Sequence, residues 1–246
     1  MSFKFKHFTI NQDKTAMKVG TDGVLLGAWT PIPKNCFSIL DIGTGTGLIA
    51  LMLAQRTSIE HSNLKSEQVQ QIDALEIDEN AYEQAVDNFE SSPWAERLFC
   101  YHASLEELIE EPEDVYDLII SNPPFYTEDY RSGDESRDKA RFSEAMPFEQ
   151  LIEAADLMLS DEGIFSVIIP FKEELNFIKI AARCDFFPQK ITRVKGTSET
   201  EIKRSLIALT REKEDIVNID ELVIETERHQ YSLEYIRLTK DFYLKM

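Results

Sequence analysis

Short apolar runs alternate with helical patterns through most of the sequence, and this alternation limits the possible folds more than any other feature. The runs are continuously apolar, which indicates strands that are buried on both faces of a sheet. Strands that alternate with helices form parallel sheets with helices on both faces. The predicted strands are Phe37–Gly43, Ile72–Asp78, Arg97–Ser104, Tyr116–Ser121 and Gly163–Pro170, and the predicted helices are Leu48–Arg56, Glu79–Ser92 and Pro147–Ser160.

The C-terminal part of the sequence follows a different pattern. Residues 190–196, 204–212 and 221–226 alternate between apolar and polar side chains, which indicates further strands. We expect them to be antiparallel at the edge of the sheet, and residues 232–243 to form a closing helix. The sequence therefore predicts an α/β fold in one domain over residues 1–246, with a short N-terminal extension over residues 1–36.

Two long polar stretches interrupt the alternation of strands and helices. Residues 58–71 are expected to be a surface excursion without a role in chemistry. Residues 126–146 directly follow a conspicuous Asn-Pro-Pro motif. Because long loops in compact domains are often functional, we expect this second stretch to serve the site.

The formal net charge of −19, from 26 basic and 45 acidic side chains, argues against a protein that coats nucleic acid along its whole surface. A local basic patch is still compatible with this balance. No run of 18 apolar residues and no secretory signal is present, so we expect no contact with a membrane. Cys36, Cys100 and Cys184 are scattered, without a C-x-x-C pair or a Cys/His cluster. We therefore expect reduced thiols, a cytoplasmic location and no bound metal.

The segment DIGTGTG lies where the first predicted strand meets the first predicted helix. Gly43, Gly45 and Gly47 allow a tight backbone turn and leave room for a ligand, and Asp41 places a carboxylate at the end of the strand. A glycine-rich connection of this kind can also be purely structural. Three glycines within five residues favour the interpretation as a ligand-binding loop.

The spacing of this glycine loop, G-x-G-x-G, resembles the first motif of S-adenosylmethionine-dependent methyltransferases. The resemblance implies S-adenosylmethionine as the cofactor and a Rossmann-like class I methyltransferase fold. In that family an acidic residue at the end of the second strand binds the ribose hydroxyls, and Glu76 occupies this place; Asp78 is the nearby alternative, unless it caps the following helix. Where the family often has an aspartate that contacts the adenine amino group, this sequence has Ser104, whose hydroxyl can accept a hydrogen bond.

A second motif, Asn122-Pro123-Pro124-Phe125, follows the fourth predicted strand. It resembles the catalytic N-P-P-[FY] motif of amino methyltransferases, which methylate planar nitrogens of nucleobases or of glutamine amides. The resemblance implies that Asn122 lies beside both the cofactor and the target. Its carboxamide oxygen and the Pro123 carbonyl can accept from the N–H groups of the nitrogen, localise its lone pair and aim it at the methyl group. Proline fixes the backbone, and Phe125 can stack on the flat target. The same residues also favour an ordinary turn.

Further segments narrow the resemblance. MKVGTDGVLLGAW (residues 17–29) and SSPWAERL (residues 91–98), together with the two motifs above, resemble the bacterial tRNA1(Val) (adenine(37)-N6)-methyltransferase family over nearly the whole chain. This resemblance implies methylation of the N6 amino group of an adenine beside the anticodon of a tRNA. In related enzymes the segment before the first strand lines the amino-acid end of the cofactor, which implies Thr21 and Asp22 as cofactor-binding residues. Asp22 and Gly23 can alternatively form a turn.

An RNA substrate requires basic side chains that reach its phosphates. We expect the strongest set on the C-terminal strands, with help from the polar stretch after Asn122 or from the N-terminus. Any single one of these residues can equally be a solvated surface residue. The three sets are Lys190, Arg193, Lys195, Lys203 and Arg204; Arg131, Arg137, Lys139 and Arg141; and Lys4, Lys6, Lys14 and Lys18.

Other functions remain open from the sequence. Ribosomal RNA guanine-N2 methyltransferases and protein glutamine N5-methyltransferases can carry the same motif after the fourth strand. The glutamine enzymes usually have a helical N-terminal recognition domain, and only about 36 residues precede the first predicted strand here. A nucleotide-binding scaffold without catalytic activity would leave Asn122 and Phe125 without a role. The sequence does not predict an oligomeric state.

Overall fold

The structure, a computed structural model, describes residues 1–58, 71–110, 115–124 and 146–246. Phe125, the basic residues between Arg131 and Arg141, and most of the two polar stretches lie outside these ranges. The strands are β1 Ser2–Lys4, β2 Thr9–Asn11, β3 Ser38–Ile42, β4 Gln71–Glu76, β5 Leu98–His102, β6 Tyr116–Ser121, β7 Leu159–Pro170, β8 Phe187–Lys195, β9 Ile202–Thr210, β10 Asn218–Val223, β11 Glu225–Glu227 and β12 Gln230–Tyr231. The helices are α1 Thr21–Trp29, α2 Leu48–Arg56, α3 Glu79–Glu90, α4 Leu105–Glu110, α5 Phe148–Met158, α6 Glu174–Ala181 and α7 Leu233–Thr239, and short 3-10 turns lie at Ala95–Arg97, Phe171–Glu173 and Ala182–Cys184.

The large sheet has the strand order β10-β8-β9-β7-β6-β3-β4-β5. Strands β3 to β7 pair in parallel, which confirms the mostly parallel sheet. The chain runs outward from β3 to β5 on one side and outward from β6 on the other, so its direction reverses between β3 and β6. Ligands of open α/β sheets bind beyond the carboxyl ends of the strands at such a reversal. The end of β3 and the end of β6, where Ile42 pairs with Ser121, therefore mark the site.

The C-terminal strands differ from the prediction in one respect. Among the described strands of the large sheet, β9 alone runs against its neighbours, since it is antiparallel to both β7 and β8. The outermost strand, β10, pairs with β8 in parallel, so the expectation of an antiparallel edge is wrong for this last pair. Alternating polarity predicts a strand with one exposed face but not its direction, which is decided by the length and path of the connections.

Helices cover both faces of the sheet, as predicted. One apolar cluster contains buried residues of α1, α2, α3 and α7 together with Phe5 and Phe8 from the N-terminal segment. The other contains buried residues of α4, α5 and α6. The N-terminal extension thus packs onto the first cluster, and the three thiols are unpaired.

Helix α1 was not predicted, and two of its residues explain why. Gly23 and Gly27 each lower helix propensity by about 1 kcal/mol relative to alanine. They lie one turn apart and face α2, where an added Cβ on Gly27 would come within 2.9 Å of the Met52 sulfur and one on Gly23 within 3.1 Å of Leu48. The helix is therefore stabilised by close packing rather than by its own propensity. Its last residue, Trp29, donates from Nε1 to the Thr192 hydroxyl at 2.8 Å.

The β1–β2 hairpin, α4 and α6 were also not predicted, because the two strands have three residues each and neither helix exceeds eight, so they carry little periodic signal. The five predicted strands and the first three predicted helices correspond to β3–β7 and to α2, α3 and α5, and the closing helix corresponds to α7. Within the described ranges, no helix has the length and apolar character needed to cross a membrane.

Candidate cofactor and catalytic site

The glycine loop between β3 and α2 has a backbone conformation that favours glycine. Gly43, Gly45 and Gly47 have φ angles of 72°, 58° and 78°, in the left-handed region where a Cβ atom introduces strain. The N–H groups of Gly43 and Thr44 both donate to the carbonyl oxygen of Leu75 on β4, at 2.9 and 3.0 Å. These bonds fasten the loop to the neighbouring strand.

The three glycines differ in their surroundings. A Cβ added to Gly43 or Gly45 would meet no atom within 4 Å, whereas a Cβ on Gly47 would lie 2.5 Å from a ring carbon of Phe89. Gly47 therefore permits close packing of the loop against α3. Gly43 and Gly45 border open space at the carboxyl edge of the sheet, where a ligand can approach the backbone.

Asp41 shapes the loop from beneath it. Its carboxylate is fully buried, and Oδ2 accepts from the Thr44 hydroxyl at 2.6 Å and from the Ala50 N–H at 3.2 Å. Burial raises the pKa of this carboxyl to about 7, although both hydrogen bonds oppose the shift. Asp41 thus connects β3, the loop and α2, and a direct contact with the cofactor stays a prediction.

We expect Asp41→Asn to flatten the pH dependence of folding stability between about pH 4 and pH 7. The carboxyl pKa rises from 3.8 without the protein environment to about 7 in the folded protein, so in this window the folded state holds a proton that the unfolded state releases. The stability contributed by the protonated form is complete below the lower value and is lost as the pH rises to the upper value, by at most about 4 kcal/mol. Urea unfolding at several pH values measures the effect. Asp78→Asn, at an exposed helix cap, is the matched control, and equal slopes for wild type and Asp41→Asn would contradict the assignment.

Glu76 holds the loop from the end of β4. Its two carboxylate oxygens accept from the N–H groups of Gly45 and Asp78, at 2.8 and 2.9 Å. A carboxylate offers about four acceptor positions, so positions remain for two ribose hydroxyls. Asp78 instead caps α3, because its side chain accepts from the Ala81 N–H at 2.8 Å. This arrangement favours Glu76 over Asp78 as the predicted ribose acceptor.

Asn88 on α3 joins the loop to the N-terminal segment and was missed in the sequence. Its buried side chain donates to the carbonyl oxygens of Asn11 and Thr46, at 2.9 and 2.8 Å, and accepts from the Asn11 N–H at 2.8 Å. The helical pattern of the sequence could have indicated this role, because Asn88 occupies the buried face of α3 beside Phe89 and Ala85. A polar side chain at a buried helix position needs partners and therefore indicates such a junction.

Ser104 caps α4. Its hydroxyl donates to the Glu107 carboxylate at 3.0 Å and accepts from the Glu107 N–H at 3.2 Å, while its own N–H donates to that carboxylate at 2.7 Å. This reciprocal pair is a capping box, and the hydrogen bonds from Ser104 lower the pKa of Glu107. A contact between Ser104 and the cofactor adenine stays a prediction, and the Glu107 carboxylate provides a second acceptor at the same strand end.

Asn122 lies beside the glycine loop. Ser121 pairs with Ile42 of β3, and its hydroxyl donates to the Ile42 carbonyl at 2.8 Å, so the next residues on the two strands, Asn122 and Gly43, are neighbours at the carboxyl edge. Asn122 is partly exposed, and its carboxamide has no hydrogen-bond partner among residues 1–58, 71–110, 115–124 and 146–246. Pro123 is buried and fixes the backbone at this point.

Asp22 and Arg204 form an ion pair, although the sequence predicted Asp22 in the cofactor site and Arg204 in the RNA-binding surface. Helix α1 begins at the exposed Thr21, so the alternative of an Asp22-Gly23 turn is wrong. The Asp22 carboxylate accepts from Arg204 Nε at 2.8 Å. Arg204 pairs with Pro170 at the end of β7, which places Asp22 at the carboxyl edge as well. Its contact with the cofactor stays a prediction.

Arg193 forms an ion pair with a buried carboxylate. Its guanidinium donates to both oxygens of the Glu174 carboxylate, with the shortest bond at 2.7 Å, and the Ser205 hydroxyl donates to the same carboxylate. The Glu174 side chain is only 3% exposed, so its charge depends on these partners. This ion pair raises the pKa of Arg193. Arg193 is therefore engaged before any RNA binds.

The other cations on β8 and β9 do not form one surface with Arg193. The Lys190 ammonium lies 4.7 Å from the ring centroid of Trp29, on the α1 side of the sheet, and burial lowers its pKa. Lys195 forms an ion pair with Glu221 at 2.8 Å. Lys203 is exposed at the start of β9. The basic residues that were expected to cluster on neighbouring strands thus lie on two faces of the sheet, and their contact with RNA stays a prediction.

We expect Arg193→Ala to lower the free energy of unfolding by about 3 kcal/mol, because it leaves the buried Glu174 carboxylate without its charged partner. Thermal and urea unfolding measure the loss. Lys203→Ala removes an exposed cation from the adjacent strand and should change stability by less than about 0.5 kcal/mol. Equal stabilities of the two variants would contradict the structural role of Arg193.

Comparisons with known proteins agree with this geometry. The model of the methyltransferase small domain family matches residues 25–178. The chain is similar to a tRNA1(Val) (adenine(37)-N6)-methyltransferase of Flavobacterium johnsoniae, with 66% identity over 99% of this chain and 100% of the relative. The chain belongs to the tRNA1(Val) (adenine(37)-N6)-methyltransferase family. A relative of the same name from Christiangramia forsetii is 56% identical over 99% of this chain and 98% of its own length.

The fold of this tRNA1(Val) (adenine(37)-N6)-methyltransferase family member also resembles a solved structure. A crystal structure described as a predicted O-methyltransferase of Agrobacterium tumefaciens has a TM-score of 0.66, with 18% identity, over 90% of this chain and 96% of the other. Likeness at this identity concerns the fold alone, and it confirms the class I methyltransferase architecture.

The residues at the carboxyl edge of this family member fit S-adenosylmethionine. Gly43 and Gly45 border open space, Glu76 retains acceptor positions for ribose hydroxyls, and Asn122 directly follows the adjacent strand. Among the residues that the structure describes, no three His, Cys, Asp or Glu side chains are grouped closely enough to hold a metal ion.

Proposed function

We propose that the protein transfers the methyl group of S-adenosylmethionine to the N6 amino group of adenine 37 in tRNA1(Val), beside the anticodon. The observation that carries the proposal is the 66% identity, over full length, to a relative named for this reaction. The position of Asn122 next to the glycine loop supports it from the geometry. One methyltransferase domain over residues 1–246, with residues 1–36 as its N-terminal extension, would perform the reaction in the cytoplasm, where tRNA is modified.

The chain contributes positioning and polarisation to the reaction. S-adenosylmethionine supplies an electrophilic methyl group when bound. The Asn122 carboxamide oxygen and the Pro123 carbonyl each accept an N–H of the adenine amino group, which draws its lone pair out of conjugation with the ring. The cofactor, held by the glycine loop and Glu76, would supply its methyl group to the amino nitrogen, which would give up one proton to water. Thr21, Asp22, Asp41, Glu76 and Ser104, with the glycine loop, are proposed to bind and orient the cofactor.

The target adenine lies in a single-stranded loop, so its extrusion costs less than flipping a base from a duplex. We propose that Lys203 and Arg204, at the same edge as Asn122, contribute phosphate contacts, together with Arg131 and Arg141, which lie outside the described residues. The net charge of −19 would limit binding to this local surface and oppose unselective binding of RNA.

The experiment is methylation in vitro, with labelled S-adenosylmethionine and separate pools of total tRNA, ribosomal RNA and peptide release factor. We expect label only in the tRNA pool and, after digestion to nucleosides, only in N6-methyladenosine. An unmodified tRNA1(Val) transcript should accept about one methyl group, and the transcript with guanosine at position 37 should accept none. Label in guanosine of ribosomal RNA or in a glutamine side chain would overturn the proposal in favour of the corresponding alternative.

A further inference from the structure

A groove with an aromatic wall lies at the carboxyl edge of the sheet, past the end of β7 and outside the predicted cofactor site. It is open to solvent, has a volume of about 520 Å³, and is lined by side chains that include Phe171, Lys195, Glu199, Glu201 and Ile202. Residues 196–201 connect β8 to β9, and Phe171 directly follows β7. The groove therefore lies above the ends of β7, β9 and β8.

The sheet order places the groove on the side of Asn122 opposite the glycine loop. β6 carries Asn122 at its end, with β3 on one side and β7 on the other. Neighbouring strands are about 4.8 Å apart and rise about 3.3 Å per residue, so Phe171 lies one strand across from Asn122 and roughly 10 Å further along the strand direction. Ser121 pairs with Val167, four residues before Phe171, so β7 extends past the end of β6. A ligand that contacts Asn122 and extends away from the glycine loop across the sheet runs toward this groove.

The lining of the groove matches a nucleobase better than a phosphate. Phe171 offers a flat apolar ring, and such rings stack on bases of any sequence. Glu199 and Glu201 are exposed carboxylates, which accept from the exocyclic amino groups of bases but repel phosphates. The Lys195 ammonium is paired with Glu221 at 2.8 Å, so the local charge balance is acidic.

The groove is held in shape by bonds of its own. Phe171 lies against Arg193, whose guanidinium carbon is 5.4 Å from the ring centroid, and Arg193 is fixed by Glu174. In the connection between β8 and β9, the Thr200 hydroxyl accepts from the Thr197 N–H and donates to the Thr197 carbonyl, both at 2.9 Å. A preformed wall and a preformed turn lower the entropy lost when a ligand binds.

We propose that this groove binds a second base of the substrate RNA, adjacent to the adenine that is methylated, by stacking on Phe171 and by hydrogen bonds from a base amino group to Glu199 or Glu201. The inference rests on the proposed function, since it assigns a second contact to the same RNA. It makes the enzyme selective for the nucleotide next to its target, whereas the cofactor site and Asn122 recognise only the reaction centre.

The test is a double-mutant cycle between the protein and a short anticodon stem-loop RNA. Phe171→Leu removes the stacking ring but keeps an apolar side chain against Arg193. In the RNA, an abasic residue replaces each neighbour of the target adenine in turn. We expect Phe171→Leu to lower kcat/KM on intact RNA by about tenfold, and one abasic position to lower the wild-type value similarly. The two changes together should then cost no more than either alone.

A second arm tests the carboxylates. Glu199→Gln combined with Glu201→Gln should reduce the preference for a base with an amino group over its analogue without one at the position identified above. Glu162→Gln, an exposed glutamate near the opposite end of β7, is the matched control and should leave this preference unchanged. Affinity for S-adenosylhomocysteine and the melting temperature should be unchanged in the variants of the groove.

Effects of Phe171→Leu and of the abasic residue that multiply at every position would overturn the inference alone, because the wild-type enzyme would still methylate the stem-loop. A wild-type enzyme that methylates neither the stem-loop nor the full tRNA would overturn the proposed function, and the inference with it.

Discussion

We expect Asn122→Ala to nearly abolish methyl transfer to tRNA while affinity for S-adenosylhomocysteine stays nearly unchanged; this is the largest effect that we expect from a single substitution. The carboxamide directly follows β6, next to Gly43, and is proposed to accept a hydrogen bond from the target amino group. Loss of one positioned polar group that acts on the transition state typically raises the barrier by about 2.7–4 kcal/mol, or a factor of about 10² to 10³ in kcat. Single-turnover methylation of the tRNA1(Val) transcript measures the chemical step directly.

Two further variants test whether the effect is specific to the Asn122 carboxamide. Asn122→Asp keeps an acceptor oxygen and should be less damaging than the alanine variant. Asn176→Ala makes the same chemical change at an exposed position of α6 and should leave both turnover and cofactor affinity as in wild type. An Asn122→Ala enzyme with wild-type single-turnover rates would refute the role of the carboxamide.

Glu76→Ala should weaken binding of S-adenosylhomocysteine by about two orders of magnitude. The substitution removes the acceptor of the Gly45 and Asp78 N–H groups as well as the predicted acceptor of the ribose hydroxyls. Hydrogen bonds to charged groups contribute about 1.5–3 kcal/mol each, so loss of the ribose contacts alone accounts for this factor. Isothermal titration calorimetry measures the affinity, and Glu79→Ala, at an exposed position three residues along the chain, is the matched control.

The glycines separate loss of the ligand from loss of the fold. Gly45→Val places a side chain in the open space where the cofactor is expected, so we expect lost affinity, with a moderate loss of stability because its φ of 58° strains a β-branched residue. Gly47→Val adds a collision with Phe89 to the same backbone strain and should lower the melting temperature further. If Glu76→Ala and Gly45→Val both bind S-adenosylhomocysteine as tightly as wild type, the cofactor lies elsewhere.

The parts of the fold that follow from local pattern were predictable from the sequence. Strands β3 to β7 are buried on both faces and therefore continuously apolar, and α2, α3 and α5 are long enough to show a helical period. Helix α1 was not predictable in this way, since Gly23 and Gly27 oppose helix formation and only contact with Met52 and Leu48 compensates. Strand direction in the C-terminal part also depends on contacts between distant residues, which alternation of polarity does not encode.

The candidate site, like the fold, combines residues that the sequence predicts with residues whose contacts only the structure shows. The glycine loop, Glu76 and Asn122 could be proposed from the sequence because chemistry fixes their residue types and spacing along consecutive elements. The ion pairs Asp22–Arg204 and Arg193–Glu174 could not be found, because they join residues that are far apart in the chain. The charge of an arginine does not show whether its side chain pairs with a buried carboxylate or binds a ligand. The bonds from Asn88 to Asn11 and Thr46 depend on tertiary packing too, although a buried asparagine on α3 was a signal of them.

The position of β9 between β7 and β8 has a consequence for synthesis of the protein on the ribosome. All the residues proposed to bind the cofactor, from Thr21 to Asn122, emerge before β9 does. Until Thr210 has been added, the outer edge of β7 has no strand to pair with, which lasts roughly 2 to 8 s after Pro170 at bacterial rates of translation. An unpaired edge rich in apolar residues is a template for pairing with other chains. A chain cut short before β9 would therefore carry every proposed cofactor ligand and still aggregate. Prolonged pausing of the ribosome between codons 170 and 210 would for the same reason cause loss of function.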